Sequence, residues 1–294
     1  MRGSQQQHER AACLAVMAAG FAAGCVAYAN SLHGDFVIDD SSAVRTNQDL
    51  RPETPLVRLL HNDFWGRPLD KPTSNKSYRP LAVLSFRANF VLHGLDVWGY
   101  HFTNVILHAC CSSLAGLVCK RLIDPGDATA ASLAALSFAI HPVHVEAVAG
   151  IVGRAELLCC FFYLLCLLSH AAGCRPVGDC QAAPAPAGRP APPPPSDAKA
   201  AHATAAPTNA WGKLRSALWL LLAALMGILA SASKETGLTA WAAASAIDIL
   251  RVLPPSASRR DRIACVVRLA LFGALTTALL WLSRTLRGAD LSPY

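Results

Sequence analysis

Long, nearly charge-free apolar blocks dominate this chain, and they restrict its folds more than any other feature. Blocks of roughly 18 or more apolar residues are read as membrane-spanning helices. They fall at about 11–30, 101–119, 129–147, 157–172, 214–232, 236–253 and 264–282. The 294 residues are 53% hydrophobic and only 15% charged, whereas a soluble domain carries about a quarter charged residues. The expected fold class is therefore an all-α polytopic membrane protein of about seven transmembrane helices. The fourth block is short and is expected to borrow residues from the loop before it. The formal charge of +7 does not indicate nucleic acid, because the basic residues are scattered beside the blocks.

Short cytoplasmic loops are enriched in Lys and Arg, and this bias sets orientation. Arg2 and Arg10, Lys120 and Arg121, the stretch from Arg175 to Arg215, and Arg251 with Arg259, Arg260 and Arg262 all fall on one side. The turns at 148–156 and 233–235 carry only Arg154 and Lys234. The expectation is an N-terminus in the cytosol and a first large loop, 31–100, on the opposite side. A basic start and Ala27-Tyr28-Ala29 admit a cleaved signal segment instead, which leaves that loop on the same side. None of the 11 cysteines lies in 31–100 or in the two short outer turns, so no disulfide framework is expected.

Five segments follow: 1–30, tail and first span; 31–100, outer loop; 101–172, spans two to four; 173–213, a Pro/Ala-rich cytosolic linker too poor in large apolar groups to fold; and 214–294, spans five to seven. Within the outer loop, Thr54-Pro55 predicts the start of a short amphipathic helix with Leu56, Leu59, Leu60 and Phe64 on one face and Trp65 at headgroup depth. A second helix over "RPLAVLSFRANFVLHG" puts Arg79, Val83 and Arg87 on one side. Asn75-Lys76-Ser77 is a glycosylation sequon.

Polar residues at one membrane face are functional candidates by default. Here they are Asp35, Asp39 and Asp40; His61, Asn62 and Asp63; Tyr78, Arg79 and Arg87; His101 and Asn104; His141, His144, Glu146, Arg154 and Glu156; and Lys234 with Glu235. Carboxylates facing guanidinium and ammonium groups suit an anionic lipid head group and proton removal from an alcohol. Each has a plainer reading. Asp40 caps a helix and Asp39 is solvated, Arg79 and Arg87 snorkel to lipid phosphates, and Lys234-Glu235 is a solvated turn. His141, His144 and Glu146 have ligand-like spacing, but Pro142 interrupts it, and no metal site is expected.

Six stretches, "GDFVIDD", "HNDFWG", "KSYRPLAVLSFRAN", "HFTNVILH", "HPVHVEAVAGIVGRAELL" and "SKETG", in this order, closely resemble the N-terminal membrane region of the TMTC family, transmembrane and tetratricopeptide-repeat proteins of the endoplasmic reticulum. The resemblance covers about 25–250 apart from the Pro/Ala insert. It implies a GT-C-like helical bundle and an O-mannosyltransferase that takes mannose from dolichyl-phosphate-mannose, with Ser/Thr of cadherin domains as acceptors. The family's di-acidic motif falls on Asp39 and Asp40, one of which is the expected base. Arg79, Arg87, Arg154 and Lys234 are the expected ligands of the donor phosphate. Tyr78, His141, His144, Glu146, Glu156 and Glu235 are expected to shape the site, and a divalent-cation requirement is left open. The family's lumenal repeats are not in this chain, which raises a second reading, a non-catalytic membrane scaffold for lumenal partners. Crowding of polar groups at one face disfavours a third, a transporter, whose ionisable groups lie near the bilayer midplane.

Overall fold

The computed structural model describes residues 2–124, 127–174, 210–255 and 257–286, and the architecture is helical. The linker expected at 173–213 lies largely outside the described residues. Helix α1 (Arg2–Ala27) packs on α3 (Val97–Val118) and α4 (Ala128–Ile140). With lipid on the outside there is no hydrophobic drive between spans, so close backbone approach through small residues holds them together. A Cβ on Gly24 would sit 2.7 Å from the Cα of Ala109, and the Ser113 hydroxyl donates to the Met17 carbonyl at 2.8 Å. Helices α5 (Arg154–Gly173), α6 (Ala210–Ser233), α7 (Thr239–Val252) and α8 (Arg259–Leu286) form the second half. Its core includes Cys166, Leu167, Met226 and a buried Trp241 stacked on Phe272.

Among the described residues, five helices are long and apolar enough to cross a membrane: Gln7–Ala27, Val97–Ile123, Ile151–Gly173, Ala210–Ser233 and Arg259–Leu286. A sixth is possible if α4 and Pro142–Ala149, bent by 45°, form one broken span. The break falls at His141-Pro142, where proline removes a helical donor and the His141 ring nitrogen accepts from Val143 N–H at 3.2 Å. The fourth block gains its length from Ile151–Gly153, as anticipated. The sixth block, 236–253, differs from expectation. It begins as a tight turn at Glu235–Leu238, and α7 has only 14 residues, about 21 Å of helix against a hydrocarbon core of about 30 Å.

Helix α4 starts with Asp127, which accepts from Thr129 N–H at 2.7 Å and Ala130 N–H at 3.1 Å. These donors, Ala130 foremost, hold its carboxyl below the usual range. A carboxyl lowered in the folded state stabilises above its ordinary pKa, and that contribution vanishes as pH falls through the lowered value. Asp127→Ala should therefore melt below the parent at neutral pH, and the two melting curves should converge in acid.

The segment between α1 and α3 is a folded loop with a buried core, and the second of its two expected helices forms. It holds α2 (Pro80–His93), started by Pro80 and ended at Gly94 with φ +58°. Phe64, Phe86 and Tyr100 form its aromatic centre together with Ile151 and Ala155. Several sequence expectations change here. Only a single tight turn, Leu56–Leu60, forms after Pro55. Thr54 does not cap it, since its hydroxyl donates to the Gln48 carbonyl at 2.7 Å. Leu59 and Phe64 are buried while Leu56 and Leu60 are exposed, and the buried indole nitrogen of Trp65 meets no acceptor among the described residues. Arg79 precedes α2 and turns to Glu235, whereas Arg87 turns inward, so the two arginines do not share a face.

Candidate functional site

Part of the predicted polar set is linked together (Asp40, Arg79, Asn104, Arg154, Glu156, Lys234 and Glu235), and it divides into a buried scaffold and an accessible set. Arg154 is the centre of the scaffold and has no solvent exposure. It opens α5. Its Nε donates to Asn104 Oδ1 at 2.8 Å, Nη2 to the Tyr100 carbonyl at 2.8 Å, and Nη1 to Asn89 Oδ1 and, at 3.4 Å, to the Ser85 carbonyl. Asn104 in turn donates to the Gly150 carbonyl at 2.9 Å. The guanidinium also lies 4.8 Å from the Phe86 ring centre. One fork thus ties α2, α3 and α5 together. Arg87 is buried as well, donating to the carbonyls of Asp49 at 2.9 Å and Pro52 at 3.0 Å.

The "HNDFWG" motif serves the loop itself. Asn62 donates to both carboxylate oxygens of Asp49, at 2.9 and 2.8 Å. Asp63 accepts from Trp65 N–H, Arg67 N–H and the Ser74 hydroxyl. Burial pushes the Asp49 carboxyl up, opposed by the Asn62 amide and by Arg58 and Arg87. Gly66 closes the knot with φ +78°, and a Cβ there would lie 2.3 Å from Asn47 Oδ1. His61 is exposed.

The acidic pair separates sharply. Asp40 is fully buried; one oxygen accepts from Val37 N–H at 2.9 Å and the other from Val152 N–H at 3.0 Å. It pins the outer loop to the turn before α5 instead of merely capping its own short helix. Asp39 beside it is exposed, and so is Asp35. Two cations remain partly accessible. Arg79 Nε pairs with Glu235 at 3.2 Å, with its guanidinium 5.2 Å from the Phe64 ring centre. Lys234 pairs with Glu156. Ties therefore run from Asp40 to Val152, two residues before α5, from Glu156 in its first turn to Lys234, and from Glu235 to Arg79. Tyr78, beside Arg79, is half-buried, and that burial raises its phenol pKa.

The histidines stand apart from this ring of ties. His141 is exposed, His144 packs on Phe138 with ring centres 4.3 Å apart, and Glu146 is exposed. They form no ligand set among the described residues. His101 is buried, and neither ring nitrogen has a hydrogen-bond partner among the described residues. Asn75 is exposed and accepts from the Ser77 hydroxyl at 2.7 Å. Asp49, whose backbone carbonyl holds Arg87, and Asn89, whose side chain holds Arg154, were not anticipated; Asn89 is a polar residue in a largely apolar helix, whereas Asp49 lies in a polar stretch and carries no signal of its own.

Comparison with known proteins adds an independent line. Mouse "Protein O-mannosyl-transferase TMTC2" is 49% identical over 157 residues, 53% of this chain and 18% of that protein. Human "Protein O-mannosyl-transferase TMTC3" is 50% identical over 143 residues, 49% of this chain and 15% of that protein. Human "Protein O-mannosyl-transferase TMTC4" is 39% identical over 237 residues, 76% of this chain and 28% of that protein. Over the matched residues the chain belongs to the TMTC family. It spans less than a third of the length of these TMTC relatives. No family model and no solved structure matches it.

Proposed function

We propose that this TMTC chain is the membrane-embedded, donor-binding part of a protein O-mannosyltransferase of the endoplasmic reticulum, with its N-terminus cytosolic and the Asp39 end lumenal. The donor is dolichyl-phosphate-mannose, and the acceptors are Ser/Thr hydroxyls of extracellular domains, cadherins among them. The observation that carries this reading is the separation of Asp39 from Asp40: one carboxylate is anchored by two backbone amides, and its neighbour is left open. In the reaction, the acceptor hydroxyl oxygen bonds to C1 of mannose while the C1–O bond to phosphate breaks. Asp39 takes the hydroxyl proton, and the bonding pair leaves on dolichyl phosphate.

Arg79 and Lys234 receive that phosphate, since both are partly accessible and each rests on a glutamate that the incoming anion can displace. Arg87 and Arg154 hold the frame on which they stand. The polyprenyl tail keeps the donor in the bilayer. An open, mainly apolar groove of about 490 Å³ between α7 and α8, bordered by Leu238, Thr239, Trp241 and Phe272, is consistent with a lipid-linked substrate.

The test is transfer of labelled mannose from dolichyl-phosphate-mannose to a cadherin domain in microsomes. Arg79→Ala and Lys234→Ala should each raise the donor KM about tenfold, the equivalent of roughly 1.4 kcal/mol of phosphate binding, with unchanged melting temperature. An unchanged KM in both variants would remove the assigned phosphate site. Absence of transfer in the parent, together with partner binding that persists when the charged cluster is neutralised, would favour the scaffold.

A further inference from the structure

At the end of the bundle opposite Asp39, three metal-ligating side chains from two helices converge. His170 lies in the last turn of α5, Cys174 immediately follows that helix, and Asp248 lies on α7. The spacing of four places the imidazole and thiol on one side of the chain. His170 Nε2 is 3.1 Å from Asp248 Oδ1. Cys174 Sγ is 3.6 Å from that oxygen and 3.6 Å from His170 Nε2.

Those three edges have a specific meaning. Around tetrahedral zinc, with bonds of about 2.0–2.1 Å to N and O and about 2.3 Å to S, N and O ligands stand about 3.3 Å apart and S stands about 3.5 Å from each. The cluster therefore has the dimensions of one face of a zinc tetrahedron, with a fourth corner left for water. Its surroundings fit the same purpose. Arg268 of α8 donates from Nε to Asp248 Oδ2 at 2.6 Å and from Nη2 to Oδ1 at 3.1 Å. The carboxylate is thus oriented from behind by an outer partner, as metal-binding carboxylates are. His170 and Asp248 are fully buried, while Cys174 is partly exposed and offers the way in.

We infer that His170, Cys174 and Asp248 form a zinc-type divalent metal site that clamps α5 to α7 at the end of the bundle away from the sugar-transfer site. Binding forms bonds from Nε2, Sγ and Oδ1 to the ion; the Cys174 thiol proton passes to solvent, and the proton that Nε2 directs at Asp248 without metal is given up, which leaves the neutral ring protonated at Nδ1. The site asks nothing of Asp39 and stands whether or not the proposed transferase activity does.

The probe is Co2+ added to the purified, metal-stripped protein in detergent. One equivalent should bind and give a near-ultraviolet thiolate-to-cobalt charge-transfer band. Cys174→Ser should abolish the band, and His170→Gln should weaken binding at least tenfold while keeping it. Zn2+ should displace Co2+ and raise the melting temperature of the parent but not of Cys174→Ser. Absence of the band in the parent, or an equal band in Cys174→Ser, overturns the assignment. So does a zinc-induced melting shift that persists in Cys174→Ser.

Discussion

Replacing Arg154 by Met is expected to destabilise the protein by roughly 3–5 kcal/mol. The side chain is fully buried, and it supplies Asn104, Asn89, Tyr100 and Ser85 with donors. Removing the guanidinium takes its donors from the Asn104 and Asn89 side-chain oxygens, at a cost of about 1–3 kcal/mol for each one that cannot repair itself, whereas the Tyr100 and Ser85 carbonyls lie inside helices and keep their backbone donors. Methionine restores most of the volume, so the loss isolates the hydrogen-bond network from packing. Arg154→Lys should fare little better, because one ammonium cannot serve Asn104 and Asn89 on different helices through a planar fork. The measurement is thermal unfolding in detergent, followed by fluorescence and size-exclusion profile. A lysine variant melting with the parent would show that charge alone, not the fork, secures α2, α3 and α5.

The second large effect concerns the acidic pair. Asp39→Asn should cut mannosyl transfer by about 10²–10⁴-fold, the usual worth of a positioned general base, without moving the melting temperature, because the side chain is exposed. Asp40→Asn should do both kinds of damage. Its two oxygens accept from Val37 and Val152 N–H, and an asparagine offers only one oxygen. One part-buried amide then loses its acceptor, at a cost of about 1 kcal/mol, and the loop carrying residue 39 loosens from the turn before α5. The contrast between the two neighbours is the informative quantity. Equal loss of activity and stability in both would mean that the pair acts only as a structural anchor.

The membrane character was legible because a continuous apolar run of sufficient length has few other solutions. The kink before Val143 had a visible cause in Pro142, and the length of α5 was anticipated from the loop ahead of it. The roles of the polar residues were less legible. His61, Asn62 and Asp63 sit together in sequence at the correct end of the bundle, yet Asn62 and Asp63 are spent inside the loop, on Asp49 and Ser74. Their partners lie 13 and 11 residues away, and no local periodicity reveals such a closure. Likewise, an arginine left partly accessible beside a carboxylate and one buried on carbonyls read identically in a sequence. Arg79 and Arg87 were separated only by the turn that precedes α2. The cluster of His170, Cys174 and Asp248 carried a faint signal, an acidic residue within an apolar stretch and an i, i+4 pair. Its assembly depends on how α5 meets α7.

Lumenal sugar transfer requires the open carboxylate of Asp39 to face the lumen. An Asp39→Cys variant, compared with the parent chain in sealed microsomes, reports this with a membrane-impermeant maleimide. The added thiol should stay unlabelled until the vesicles are opened, and then react readily. Labelling of position 39 in sealed, right-side-out microsomes would put the site in the cytosol and contradict lumenal sugar transfer.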